Sequence, residues 1–363
     1  MVEAQSLFQA LYYASVISLL SVGITLSYMT TRVFNFAHVR FAMVASYVAA
    51  TALLACIKAA GITGDYEFRE FIGGTLARTP MPFWAYAVVM IVAFIVGGLV
   101  AIAQFYLVLK PLQKRGATGL TLMISTLGFD FILVALLFLY MTMPFTRGLA
   151  GDVRGLIGRV DFASLKLDFL DIVIRTETYT IRGVVVLGLV FTVVSIIGLY
   201  LLLTRTKLGV MMRSSIENPS LALVLGINVD RVFAITWFIA GAIAGLAGYM
   251  FLFGAVYLKP LTPTTPSDEI IVSVFAGAIV GGINSVPGSI GGGFLIGLVE
   301  KLFVPGVLSP LVGVGIIKYD KVFSMLAVAF TLLFLPQGLA SLPQTKTFKK
   351  LVSKIRGGVK SSG

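Results

Sequence analysis

The sequence predicts an all-α polytopic membrane protein of about 8–9 transmembrane helices, closely packed through glycine, with one short cytoplasmic helix. Three observations carry this. Of 363 residues, 58% are hydrophobic and 12% charged, about half the charged share of a soluble domain. The apolar residues fall into blocks approaching the ~20 residues that a helix needs to cross a bilayer. A membrane barrel needs segments of roughly ten residues with alternating polarity, and the chain shows none.

Apolar spans lie near 7–31, 41–60, 82–109, 117–143, 182–203, 232–257, 269–283, 287–304 and 320–342. The first lacks a positively charged leader, so it reads as a true helix rather than a cleaved signal. The pieces at 269–283 and 287–304 are short. They read as tilted helices or as half-helices packed inside the protein. Residues 1–343 form one transmembrane domain on this reading, and 344–363 a basic tail. The connections at 61–80 and 144–181 are long and mixed in charge. In the second, "SLKLDFLDIVI" alternates with period two, which fits a short strand or an interfacial helix.

Charge sets the orientation. With the N-terminus outside, nine crossings place 15 basic and two acidic residues on the cytoplasmic side. The other side then holds 13 of each sign. This bias obeys the positive-inside rule. It puts 204–231 and the tail in the cytoplasm of a cell-membrane protein. The net charge of +12 then reports topology, and no nucleic-acid partner is expected.

The 38 glycines concentrate late. GxxxG spacing occurs at Gly241/Gly245, Gly277/Gly281, Gly288/Gly292 and Gly293/Gly297. Such pairs let helix backbones approach closely in lipid, either within the chain or between subunits. The stretch "VGGINSVPGSIGGG" contains Gly281, Gly282, Asn284 and Gly288 and is too irregular for a straight helix. A break of that kind belongs inside protein or beside a cavity.

Catalytic constellations are missing. One cysteine, Cys56, and one histidine, His38, exclude an intrachain disulfide and a Cys- or His-rich metal site. There is no phosphate-binding loop and no H-E-x-x-H motif. Asp130 reads as the one acid well inside a span, hence as a pathway or structural candidate. His38, beside Asn35 and Arg40, reads as a pH-sensitive group or as a hydrogen-bonding structural one. The chain thus resembles a transport scaffold powered from elsewhere.

The segment "TRTKLGVMMRSSIENPSLALVLGINVDR" is the exception to the apolar pattern. Asn218 is a good N-cap, Pro219 suits the first helical position, and Gly226 suits the stop. The helix between them has about two turns and is marginal alone. Leu221, Leu223, Val224 and Leu225 give it apolar surface to bury. Preceding it, "KLGVMMRSSIE" forms a second short helix. The pair fits a groove on a partner protein or the lipid headgroup region equally well.

These residues resemble the cytoplasmic coupling loop of branched-chain amino acid ABC transporter permeases. Thr206, Gly209, Arg213, Asn218, Ala222, Gly226, Ile227 and Asn228 match its pattern. "SVGITLSYMTTRVFNFAHVRFAMVASYVA", "LVLKPLQKRGATGLTLMISTLGF" and "VFAGAIVGGINSVPGSIGGGFLIGLVEKL" resemble further parts, and the NFAH stretch favours the LivH-type subunit. Two features depart from that family. Val39 and Arg40 stand where it usually has glycine and an acid, and 144–181 is longer. The resemblance implies an importer of branched-chain amino acids, or of urea or short amides. The main alternative is an ion-coupled secondary transporter. On the family reading, ATP and Mg bind a partner ATPase, with no cofactor in this chain. The other partners are a second permease, either a sister LivM-type chain or a second copy, an external binding protein, and membrane lipid. It also implies that Arg205, Gly209, Arg213, Glu217, Asn218, Pro219, Ala222, Gly226, Ile227 and Asn228 couple to the ATPase.

Overall fold

The computed structural model describes residues 4–60, 67–71, 74–78, 83–148, 173–176, 180–253 and 266–344. The helices are α1 (Ala4–Thr31), α2 (His38–Ala60), α3 (Phe83–Gln104), α4 (Gly119–Thr142), α5 (Gly183–Arg205), α6 (Lys207–Glu217), α7 (Pro219–Val224), α8 (Val229–Phe253), α9 (Pro266–Gly281), α10 (Val286–Leu298) and α11 (Asp320–Phe334). Among the described residues, seven stretches are long and apolar enough to span a membrane. An eighth arises if α5 and the bent α6 count together, and α9 contributes a shorter apolar helix, Ile270–Gly281. The helical class and the helix number agree with the sequence reading. The basic tail, most of the 144–181 connection and residues 254–265 lie outside the described residues.

Two helices continue where the sequence suggested stops. Helix α3 runs through a π-helical stretch, Phe105–Leu109, into one more turn, Lys110–Lys114. Helix α10 runs through another, Val299–Leu308, to Ser309–Val312. The 287–304 piece is therefore no half-helix. It belongs to a 27-residue span, Val286–Val312. Pro305 lies inside that stretch, where its missing N–H disfavours a regular α-turn, and the wider π geometry accommodates it. The irregularity expected over 280–293 is also smaller than the composition suggested. It is confined to the turn 282–285, and Gly291, Gly292 and Gly293 continue as regular helix.

Contacts sort the connections onto two ends. At one end, Arg32 Nη1 donates to Asn284 Oδ1 at 2.7 Å, and Lys110 pairs with Asp230 at 2.8 Å. At the other end, both long connections contribute strands: β1 (Glu67–Phe71), β2 (Gly74–Arg78), β3 (Val173–Thr176) and β4 (Thr180–Arg182). They pair antiparallel in the order β1-β2-β3-β4. The period-two alternation thus ends in a strand at Val173–Thr176, and the segment before it lies outside the described residues.

Helix α1 is the centre. Tyr12, Ile17, Leu20 and Ile24 are fully buried. Trp237 of α8 donates to Thr30 Oγ1 at 3.0 Å and stacks on Phe105. Glycine sets the closest approaches. A Cβ on Gly281 would lie 2.1 Å from the Gly288 carbonyl oxygen, and one on Gly292 would lie 2.2 Å from that of Gly277. Gly297 packs on Ala14, and Gly241 packs on Gly97 of α3. All four GxxxG pairs pack within the chain. Helices α4, α5 and α11 instead leave broad apolar faces open, including Phe131, Ile132, Val194, Ile197, Phe330 and Leu333.

Candidate functional site

The residues singled out from the sequence form three groups. The first is the polar loop after α5. The chain bends by 75° between α5 and α6. Thr206 makes that corner: its Oγ1 accepts from Gly209 N at 3.1 Å and donates to Leu202 O at 2.6 Å. Gly209 is needed for space. A Cβ there would sit 2.3 Å from Leu202 O and 2.4 Å from Leu203 O.

Helix α7 is bounded as its sequence predicts. Asn218 Oδ1 accepts from Leu221 N at 3.0 Å, with Pro219 in the first turn. At the far end Gly226 adopts φ +80°. Gly226 N donates to Leu223 O at 3.0 Å and Ile227 N to Ala222 O at 2.9 Å, the two bonds of a Schellman stop. Asn228 then caps α8 by accepting from Arg231 N at 3.1 Å. Ala222 is buried and Ile227 packs on the core. Leu221, Leu223, Val224 and Leu225 are all exposed, Val224 at 83%. Arg205, Arg213 and Glu217, in the segment before α7, are exposed as well. The helix therefore turns an apolar face away from its own protein, beside charged groups.

The second group is buried between α2, α3 and α4. Arg40 and Asp130 form a bidentate ion pair, with Nε to Oδ1 and Nη2 to Oδ2 both at 2.8 Å. Arg40 is only 3% exposed. The apolar span read from the sequence starts at 41 and leaves Arg40 out, but that residue lies in the first turn of α2. Its partner, 90 residues away, could not be found by local spacing. Asn35 and Gln104 exchange two amide hydrogen bonds, at 2.9 and 3.0 Å, just before the first π-helical stretch. Thr126 Oγ1 accepts from Phe36 N at 3.2 Å, and Tyr140 donates to Thr51 at 2.7 Å. Thr126, Asp130, Leu133, Leu137 and Tyr140 make one stripe along α4, which docks that helix on α2. His38 is fully buried against Gly23 and Phe41. Neither of its ring nitrogens makes a hydrogen bond of regular geometry among the described residues, and the Leu20 backbone is the polar group beside the ring. The tight fit on Gly23 makes it a packing group.

The third group surrounds the 282–285 turn. Gly281 and Gly288 appose backbones, Gly282 has φ +111°, and Asn284 binds Arg32. A cavity of about 670 Å³ opens here, with Phe34, Ile279, Ile283, Asn284, Leu332 and Gln337 in its wall.

Sequence reasoning missed a fourth group. Glu300, in the second π-helical stretch, is buried and paired with Lys321. Asp130 is thus not the one buried acid of the bundle. Pattern reading could have flagged Glu300 from its place at the end of an apolar span.

Comparison with known proteins agrees with this architecture. The family model described as "Branched-chain amino acid transport system / permease component" matches residues 6–335. The chain is 34% identical over 351 residues to the probable branched-chain amino acid transport permease protein LivH of Methanocaldococcus jannaschii, covering 97% of this chain and 96% of that one. It is 25% identical to LivH of Escherichia coli K12 over 94% of this chain and 96% of that one. A shorter match, 26% identical over 45% of each chain, is to the nucleoside ABC transporter permease protein NupB of Lactococcus lactis. No solved structure matches. With the family match spanning nearly all the described helices, the chain belongs to the branched-chain amino acid transport system permease component family.

Proposed function

We propose that this chain is the membrane permease subunit of an ATP-binding-cassette importer. It carries branched-chain or related hydrophobic amino acids by alternating access, driven by separate ATPase subunits. The observation that carries this is α7. A six-residue helix is too short to persist alone, yet it is capped at both ends and exposes Leu223, Val224 and Leu225. A capped apolar face among charges suits a groove on a protein partner. The α7 end is then cytoplasmic, the N-terminus is external, and the strand-bearing end faces a binding protein. A second permease, either a sister chain or another copy, covers part of the open apolar surface, and lipid covers the rest. ATP and Mg belong to the ATPase. Closure of its dimer moves α6 and α7, and the 75° corner passes that motion to α5.

The relatives' names supply the substrate class. The test is reconstitution in liposomes with ATPase and binding-protein subunits of a branched-chain amino acid importer, with and without a sister permease. ATP-dependent uptake of leucine, isoleucine and valine is expected, well above that of urea, acetamide and nucleosides. Uptake driven by an ion gradient without the ATPase would overturn the reading. Preference for urea, acetamide or a nucleoside would overturn the substrate assignment alone.

A further inference from the structure

Glu300 is 1% exposed, and groups from three other helices surround its carboxylate. Oε1 accepts from Ser273 of α9 at 2.7 Å and from Ser324 of α11. Oε2 accepts from Tyr13 of α1 at 2.9 Å and from Lys321 of α11 at 2.5 Å. Lys321 also donates to Tyr13 Oη at 2.9 Å and to Ser273 Oγ at 2.8 Å. Its three N–H bonds are thereby all used. A second pair, Lys301 with Asp320 at 3.0 Å, lies beside the first and is more exposed. By chain order this hub sits at the end opposite α7.

Helix α11 is held differently along its length. At its start the hub binds it through Lys321 and Ser324. Its middle rests on a small apolar cluster of Ala276, Val280 and Ile296 with Ala327 and Val328. Beyond its end, Gly338 lies against the Gly282 backbone. Much of its remaining surface is open. The start is the part made to separate. An apolar seam loses stabilisation in proportion to the area that water reaches. A buried ion pair exchanges Coulomb attraction for hydration and comes out nearly even. Lys321 is already partly exposed, its side chain at 22%. A contact with two nearly equal states, dry and wet, is what a gate requires.

We propose that Glu300 and Lys321 are the positioning pair of the external gate: joined and dry, they hold α11 against α1, α9 and α10, and wetted, they release its outer end. This rests on the importer reading for its direction.

The test uses the full chain in liposomes, with Cys56→Ser removing the single native cysteine and Ala276→Cys reporting from beneath α11. Labelling by a membrane-impermeant maleimide is timed from the external side. Lys321→Met strands a buried carboxylate that draws water in, so labelling should quicken at least tenfold. Glu300→Met with Lys321→Met replaces the pair by an apolar contact. This double variant should label at least threefold more slowly than the intact pair, should lose the acceleration that ATP brings in the assembled transporter, and should take up leucine at least tenfold more slowly. Its melting temperature should be unchanged or higher. Opposite effects from the two variants are the signature of a gate. If both quicken labelling as they lower the melting temperature, or if the double variant labels at the intact rate, the pair is a structural tie and the proposal fails. If neither alters labelling, it also fails. Should Lys321→Met not fold, Ser324→Ala removes one bond of α11 to the carboxylate and should shift labelling the same way, by less. The chain-alone labelling contrast needs no ATPase. Absence of ATP-driven uptake by the unmodified assembly would overturn the importer reading and leave the gate decided on its own.

Discussion

Gly209 and Gly226 serve one loop for different physical reasons, and substitution separates them. At Gly226 the space is open, with nothing within 4 Å of an added side-chain carbon. The constraint there is φ +80°, a left-handed conformation that costs an L residue roughly 1–2 kcal/mol. Helix α7 has only its two caps, buried Ala222 and the Ile227 contact to hold it. Since 1.4 kcal/mol is about tenfold in population, Gly226→Ala should lower the capped form by roughly one order of magnitude. Gly226→Val should lower it further, because a β-branched residue fits φ > 0 worst. Gly226→Asn should restore most of it, since asparagine tolerates that region. At Gly209 the backbone conformation is ordinary and the obstacle is a carbonyl oxygen 2.3 Å from the added carbon. No rotamer relieves that contact. Gly209→Ala should cost roughly 1–3 kcal/mol, and Gly209→Asn more. The assay is leucine uptake per ATP hydrolysed in the reconstituted transporter, together with ATPase retained on the purified permease. Asparagine should outperform alanine at 226 and underperform it at 209. Equal ranking at the two sites, or wild-type coupling by Gly226→Val, would refute the reasoning.

The remaining predictions concern partners and the buried groups. Val224→Asp, at a position 83% exposed, should leave the melting temperature of the chain alone within the small range typical of surface changes. It should still reduce ATPase co-purification and uptake at least tenfold, and unaltered co-purification would place docking elsewhere. Asp130→Asn should destabilise by about 3–5 kcal/mol, because it leaves the Arg40 charge buried without its partner. Arg40→Met with Asp130→Leu should recover much of that loss in thermal unfolding. Asn35→Ala should cost about 1–3 kcal/mol by stranding the Gln104 amide, read as a lower unfolding midpoint.

Where the sequence predicted well, the controlling interactions are local. Asn218, Pro219 and Gly226 act within one or two turns of themselves, and each acts in the structure as its side chain or backbone freedom dictates. The apolar spans are also self-evident, because lipid demands an unbroken apolar length. Where prediction failed, the partner is remote. Arg40 reads as a loop cation until Asp130 is brought across from α4. Glu300 reads as an external charge until Tyr13, 287 positions earlier, and Lys321 enclose it. The first π-helical stretch has no local signature, whereas the second carries Pro305. "FYLVL" is ordinary helix sequence, and it lies beside the Asn35–Gln104 pair and Trp237. The pairing of strands from two separate connections likewise depends on the helices that bring them together.

The glycine seams have a mechanical consequence. Where Gly281 meets Gly288, or Gly241 meets Gly97, two backbones touch with no side chain between them. Sliding one helix by a single residue, about 1.5 Å, would drive a Cβ-bearing neighbour into a carbonyl oxygen. Such a seam has one register and no soft direction along its axis. Helices α1, α9 and α10 therefore travel as one solid block, and α3 with α8 as another. Any stroke that carries substrate is a tilt between blocks or a swing of the loosely attached outer helices, never a piston movement within a block.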